Sequence, residues 1–196
     1  MHYVQQTGSI RKPLAAWLIV LAGSLVVLLL IVSAPLALSA GHQSVAYYIY
    51  LPFSYLCHQI PARSFFLAEH PFAVCSRCTG IYAGVLIGVI FYPLLKSFRS
   101  TATPPRKWLF FAAAPLAIDF SLEFFGIWNN THFSRFATGA LLGGVVVFYV
   151  LPGLIELSLR NRTPSRPTSV PESPRAAFST NASPASSDYS APHRRI

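Results

Sequence analysis

The chain is poor in charged residues: Asp, Glu, Lys and Arg make up 11% of its 196 residues, whereas a soluble domain has about a quarter. This scarcity excludes an ordinary water-soluble domain and favours burial of the apolar segments in lipid. Acidic residues are the rarest, and 15 basic against 6 acidic residues give a formal charge of +9. The basic residues form short clusters between apolar runs rather than one patch. That distribution indicates membrane topology and argues against a nucleic-acid partner.

Several catalytic and structural signatures are also missing. The sequence contains no nucleotide-binding loop, no Ser-His-Asp order and no H-E-x-x-H motif, so hydrolase functions have no support. Its three cysteines are too few for a disulfide-rich scaffold. All three fall within one short stretch, which is unlike scattered core cysteines and suggests a shared role.

Long apolar runs predict an all-α membrane protein, a bundle of four transmembrane helices in residues 1–160. The spans are residues 14–38, 79–95, 108–127 and 136–159, each close to the 17–25 residues that a membrane-spanning helix needs. Strands are not expected, because lipid offers no partner to an open sheet edge and no barrel-like alternation is present. Residues 161–196 are rich in Pro, Ser, Thr and Arg, which predicts a disordered cytoplasmic tail.

The positions of Lys and Arg predict the orientation of the bundle. With four spans, one membrane side receives only Arg63, Arg77 and Arg135. The other side receives Arg11, Lys12, Lys96, Arg99, Arg106, Lys107, Arg160, Arg162, Arg166, Arg175, Arg194 and Arg195. The positive-inside rule therefore places both termini in the cytoplasm and the loop of residues 39–78 on the periplasmic or extracellular face. We expect the membrane to be a bacterial inner membrane.

Two features of the first span and its loop leave alternatives open. Residues 37–39 could serve as a signal-peptide cleavage site, but the apolar run exceeds the usual 7–15 residues of such peptides, which favours retention. The tyrosine-rich residues 44–50 suit a helix lying at the headgroup level. They could equally extend the first helix, although Pro52 disfavours one straight helix.

Glycines recur at every fourth position in two of the spans. The second span carries Gly80, Gly84 and Gly88, and the fourth carries Gly139 and Gly143. Small residues at this spacing allow helix backbones to approach closely in lipid. We expect spans two and four to pack against each other along these faces, in preference to a homo-oligomeric contact.

The densest cluster of chemically reactive side chains precedes the second span. Cys75 and Cys78 form a C-x-x-C at its N-terminus, where the helix dipole and Arg77 stabilise thiolates. Cys57 adds a third sulfur, and His58, or His70 as a substitute, could add a nitrogen to complete a tetrahedral zinc shell. Redox-active thiols and an inert disulfide from Cys57 to Cys75 or Cys78 remain alternatives, because spacing does not separate these classes.

Three ionisable residues are predicted to lie near this loop. Asp119 and Glu123 are four residues apart and share one face of the third span, in its outer half. Arg135 opens the fourth span, where a cation opposes the helix dipole and needs an acidic neighbour. An ion pair that fixes helix register and a role in substrate or proton handling are both consistent with this pattern. His132 is expected to be a loop residue rather than a metal ligand.

At these residues the sequence resembles a known family. Cys-His-Gln from Cys57, Arg-Ser-Phe from Arg63 and Cys-Ser-Arg-Cys-Thr-Gly-Ile-Tyr-Ala-Gly from Cys75 resemble the signature of the bacterial membrane family called domain of unknown function 2085. The resemblance covers approximately residues 44–144 and names no reaction. By similarity it implies that one group is formed by Cys57, His58, Gln59, Arg63, Cys75, Arg77, Cys78, Tyr82, Asp119 and Arg135.

Three functional hypotheses follow. In the first, Cys57, Cys75, Cys78 and His58 bind a transition metal, with zinc favoured. In the second, the protein is a membrane thiol oxidoreductase in which Cys75 and Cys78 attack, Cys57 relays, and a quinone or partner protein accepts electrons. In the third, Asp119, Glu123 and Arg135 line a polar pathway of a small transporter or scaffold subunit, which would require homo-oligomerisation.

Overall fold

A computed structural model describes residues 11–98 and 102–160. Five helices, two short strands and one 3₁₀ turn occur in this part of the chain. In chain order they are α1 Arg11–Ser39, α2 Gln43–Ser54, the 3₁₀ turn Pro61–Arg63, β1 Phe66–Leu67, β2 His70–Pro71, α3 Ser76–Leu95, α4 Lys107–Phe124 and α5 His132–Arg160. The predicted disordered tail lies outside the described residues.

The four predicted apolar segments all form helices, but only three of the described helices qualify as membrane spans by length and composition. These three are Arg11–Ser39, Ser76–Leu95 and His132–Leu157. Helix α4 has 18 residues and includes Lys107, Asp119 and Glu123, which make it more polar than the other three. The helical fold is thus confirmed, while the fourth span and the sidedness of the loops stay predictions.

The loop between α1 and α3 contains its own secondary structure. Helix α2 is separate from α1, because the chain turns at Gly41, whose φ of +81° suits a residue without a Cβ. A small antiparallel hairpin then pairs Phe66 with Pro71 and Leu67 with His70. Its two-residue turn, Ala68-Glu69, has positive φ at both positions, as a type I′ turn requires.

The predicted contact between the two glycine-rich helices is present. A Cβ on Gly84 of α3 would overlap the carbonyl oxygen of Ala140 in α5, and one on Gly143 would overlap that of Ile81. Gly80 and Gly139 face the opposite backbone in the same way. Helices α3 and α5 therefore pack backbone to backbone, which brings their N-termini side by side.

Two prolines inside helices free backbone carbonyls that other elements use. Pro35 has no N–H for the carbonyl of Ile31, one turn earlier, and that carbonyl accepts a long 3.5 Å hydrogen bond from Ala73 N–H. Pro93 likewise frees the carbonyl of Val89, which accepts a 2.8 Å hydrogen bond from Trp17 Nε1. Helix α1 is thereby joined to the loop near one end and to α3 near the other.

Candidate cysteine and arginine site

The three cysteines converge on one point, and together we call them the cysteine cluster. Cys57 follows α2, Cys75 is the N-cap of α3, and Cys78 lies in the first turn of α3. Their Sγ atoms all lie within 4.8 Å of one another. All three are free thiols. The structure thus brings together the sulfurs that the spacing of the sequence grouped.

Gln59 fixes the chain around Cys57. Its backbone is in the left-handed region, with a φ of +48°, which turns the chain sharply after the cysteine. Its side-chain Nε2 donates 2.8 Å hydrogen bonds to the carbonyls of Tyr50 and Ala73. One amide therefore joins α2 to the segment that leads into Cys75, and this position aligns the first sulfur with the other two.

The cysteine cluster adjoins an apolar core rather than open solvent. Cys57 is 6% exposed and packs with Ile31, Ala34, Phe53 and Val74, all of which are buried. Ile31 precedes the end of α1 by eight residues, which corresponds to about 12 Å along the helix axis. The irregular chain around Cys57 therefore packs along the side of α1 rather than beyond its C-terminal end.

Hydrogen bonding stabilises the deprotonated form of the Cys57 sulfur. Donation from the Cys75 side chain, then from that of Cys78, lowers the pKa of Cys57 well below its usual value against the opposing effect of burial. The backbone N–H of Cys75 also donates to Cys57 Sγ at 3.2 Å. A deprotonated sulfur is the form that binds metals and attacks disulfides.

Five charged side chains form what we call the charge network: Arg63, Arg77, Asp119, Glu123 and Arg135. Glu123 Oε1 accepts from Arg135 at 2.8 Å and from Arg63 at 2.9 Å, while Glu123 Oε2 lies 3.9 Å from Arg77. Arg77 pairs directly with Asp119. The predicted need of Arg135 for an acidic neighbour is met by Glu123.

Two further contacts tie the loop to the start of α5. The buried hydroxyl of Ser76 donates to the carbonyl of Arg63 at 2.9 Å, and its oxygen also lies 2.9 Å from Nδ1 of His132. In the segment that connects α4 to α5, the side-chain amide of Asn130 donates a hydrogen bond to the backbone carbonyl of Asp119. His132 is therefore the first residue of α5 rather than the loop residue that the sequence predicted, and its contact with Ser76 helps to position that helix.

The cysteine cluster and every member of the charge network except Asp119 line one cavity of about 660 Å³, which we call the site cavity. Ligand pockets typically have volumes of about 300–1,000 Å³. Its lining residues are Leu56, Cys57, His58, Ile60, Arg63, Cys75, Arg77, Cys78, Ile81, Leu116, Phe120, Glu123, Phe124, Arg135 and Leu142. The cysteines and the ionisable residues that the sequence analysis placed near the same loop thus share one cavity, apart from Asp119.

The predicted histidine ligands have different outcomes. Among the described residues, no histidine nitrogen joins the group of three sulfurs. His58 is exposed but lines the site cavity, whereas His70 lies in strand β2 and is absent from the cavity lining. Tyr82 packs beside the core around Cys57, with its ring 6.4 Å from that of Phe53.

Sequence reasoning missed one residue and one ion pair of this region. The role of Ser76 was not anticipated, although serine at the first turn of a helix commonly bonds nearby backbone. The pairing of Arg63 with Glu123 was also missed, since 60 positions separate them and no local pattern links them.

Three comparisons with known proteins bear on this site. The family model described as "Predicted membrane protein (DUF2085)" matches residues 57–149, a range that contains the whole cysteine cluster and charge network. An uncharacterised protein of Methanocaldococcus jannaschii is 39% identical over 146 residues, covering 72% of this chain and 94% of the relative. An uncharacterised protein of Methanothermobacter thermautotrophicus is 36% identical over 105 residues, which cover 53% of this chain and 93% of the relative. No solved structure matches. Both relatives are archaeal, so the bacterial inner membrane stays a prediction.

Proposed function

This chain belongs to the DUF2085 family of predicted membrane proteins, and from that premise we propose that it binds zinc through Cys57, Cys75 and Cys78. The observation that carries the proposal is the convergence of three free thiols within 4.8 Å of one another. The protein would hold the metal beside the charge network, where a ligand in the site cavity could reach it.

The geometry of the sulfurs suits the metal. A Zn–S bond of about 2.3 Å in a tetrahedral site separates two sulfurs by roughly 3.8 Å, so small side-chain rotations would close the cluster around one ion. Thiolates are soft ligands that favour zinc over magnesium or calcium. The hydrogen bond from the Cys75 N–H favours the deprotonated form of the Cys57 sulfur, which is the form that binds a metal.

The zinc proposal predicts about one zinc ion per chain in the full-length protein purified in a mild detergent. Replacing Cys57, Cys75 or Cys78 by serine, one at a time, should reduce the bound zinc to background. Elemental analysis by mass spectrometry measures the stoichiometry. Ser54→Ala is a suitable control, because Ser54 is an exposed residue close to Cys57 in the chain.

Metal-free wild type whose fold resists chelators would contradict the zinc proposal. In that case, rapid alkylation of the thiols and trapping of a mixed disulfide would transfer support to the thiol oxidoreductase hypothesis. The same samples therefore separate the two classes, because a zinc-bound thiolate is protected from alkylation until the metal is removed.

His58 is the proposed fourth ligand. Its exposed side chain lines the site cavity together with the three cysteines, whereas His70 does not line it. We expect His58→Ala to weaken zinc affinity by about 10–100-fold. Mutating residues that only hydrogen-bond to the ligands of a metal site causes a loss of this size. His70→Ala is the matched control and should leave affinity unchanged. Competition with a zinc-sensitive dye measures both variants, and equal affinities would exclude His58 from the shell.

A further inference from the structure

The charge network contains more donors than its acceptors can satisfy. Three guanidinium groups oppose two carboxylates, which leaves one unit of positive charge at the site cavity. Each guanidinium carries five N–H donors, whereas a carboxylate offers two oxygens. The Nε atoms of Arg77 and Arg135 are buried and have no hydrogen-bond partner within the described part of the chain. An anion in the site cavity would add acceptors and negative charge to this group.

Arg135 is the most enclosed of these cations. It is 8% exposed, yet it lines the site cavity and bonds Glu123 through only one of its nitrogens. A buried guanidinium is costly unless its donors are satisfied. Glu123 is shared with Arg63 and Arg77, so it does not neutralise Arg135 alone.

The backbone adds to the positive potential at the same place. Arg77 lies in the first turn of α3 and Arg135 in the first turn of α5. The two helices are packed backbone to backbone, so both N-termini face one region. Helix N-termini carry partial positive charge and favour anions.

Most of the remaining wall of the site cavity is apolar, and part of it is exposed. Phe120 and Phe124 of α4 stack with ring centroids 6.1 Å apart and are 51% and 72% exposed. Leu56 and Ile60 line the cavity as well, with exposures of 70% and 40%. An anion that carries an apolar chain could contact both the arginines and these surfaces.

We propose that the site cavity binds an amphipathic anion of the kind that anionic membrane lipids provide. Its phosphate or carboxylate head would accept hydrogen bonds from Arg77 and Arg135, and its apolar chain would lie along Phe120 and Phe124. This site goes beyond the zinc proposal and does not depend on it, because neither arginine nor phenylalanine is a metal ligand.

Native mass spectrometry of the full-length protein in detergent tests the proposal. Dioleoyl phosphatidic acid and dioleoyl phosphatidylcholine are each titrated into the protein, and their bound fractions are compared. We expect the wild type to prefer phosphatidic acid by at least about tenfold, the scale of one hydrogen bond to a charged group. Arg135→Gln should abolish most of this preference, whereas Arg106→Gln, at an exposed arginine outside the cavity, should not.

A second pair of variants keeps the test valid if Arg135→Gln fails to fold. Phe124→Ala and Phe110→Ala remove aromatic rings of α4 that are 72% and 73% exposed, and only Phe124 lines the cavity. The first should weaken phosphatidic acid binding several-fold and the second should not. Equal behaviour within both pairs, or equal binding of the two lipids by the wild type, would overturn the proposal.

Two further measurements distinguish this lipid site from a free-anion site and from the zinc site. Inorganic phosphate at millimolar concentration should fail to displace the lipid; effective displacement would indicate a free-anion site and overturn the amphipathic assignment. Cys57→Ser should lose zinc and retain lipid. A wild type that holds no zinc but still binds phosphatidic acid would refute the zinc proposal and leave this one intact.

Discussion

Replacing Glu123 by glutamine is expected to lower the free energy of unfolding by about 3–5 kcal/mol, the usual cost of removing one partner from a buried ion pair. Glutamine keeps the shape of the side chain but removes the charge that Arg135 and Arg63 share at 2.8 and 2.9 Å. Arg135 is almost fully buried, so little water can replace the carboxylate. Arg63 is half exposed and contributes less to the loss.

Thermal and chemical unfolding of the purified protein in detergent, followed by circular dichroism, measures this effect. Glu69→Gln is the matched control, because Glu69 is exposed in the hairpin turn and belongs to no ion pair within the described residues. We expect it to change stability by less than about 0.5 kcal/mol. A Glu123→Gln protein as stable as this control would show that the charge network does not hold α4 to α5.

Gly84→Val is expected to destabilise the bundle by about 3 kcal/mol or more, at the upper end of overpacking costs. The new side chain would occupy the position of the Ala140 carbonyl oxygen, and a backbone atom has no alternative rotamer. Helices α3 and α5 would have to separate, which would also displace Arg77 and Arg135 relative to each other. We therefore expect lipid binding to fall together with stability.

Gly23→Val provides the control for this substitution. Gly23 also lies in a long apolar helix, α1, but a Cβ there would meet nothing within 4 Å. Valine has a higher helix propensity than glycine, so this variant should be neutral or slightly stabilising. If both variants unfold at the same temperature, the close contact between α3 and α5 is not what stabilises the fold.

Those parts of the fold that depend on local periodicity could be predicted from the sequence. The four-residue glycine spacing predicted the contact between α3 and α5, since both glycine faces can be recognised from the sequence alone. The i, i+4 spacing of Asp119 and Glu123 likewise predicted a shared face near the outer loop. Cys75 and Cys78 were grouped correctly, because two residues of the same helical turn point to similar places.

The remaining features depend on tertiary contacts that no local pattern encodes. The hairpin turn at Ala68-Glu69 lacks the Asn-Gly or Asp-Gly chemistry that would mark it, so it was not anticipated. Consecutive residues such as Cys57 and His58 seldom ligate one ion easily, so the sequence left the fourth ligand open between His58 and His70. No histidine nitrogen of the described residues lies among the sulfurs. Membrane sidedness depends on forces outside the chain, which the positions of Lys and Arg indicate only indirectly.

The paired proline contacts of α1 bear on how that helix finds its place. A long apolar segment in lipid has little energetic reason to choose one rotation about its axis over another. Here the acceptor at Ile31 and the donor at Trp17 are fourteen residues apart, or about 21 Å along the axis. A shift of α1 by a single residue would misalign both bonds at once. The two carbonyls that the prolines leave free thus fix both the rotation of α1 about its axis and its position along that axis relative to α3 and the loop.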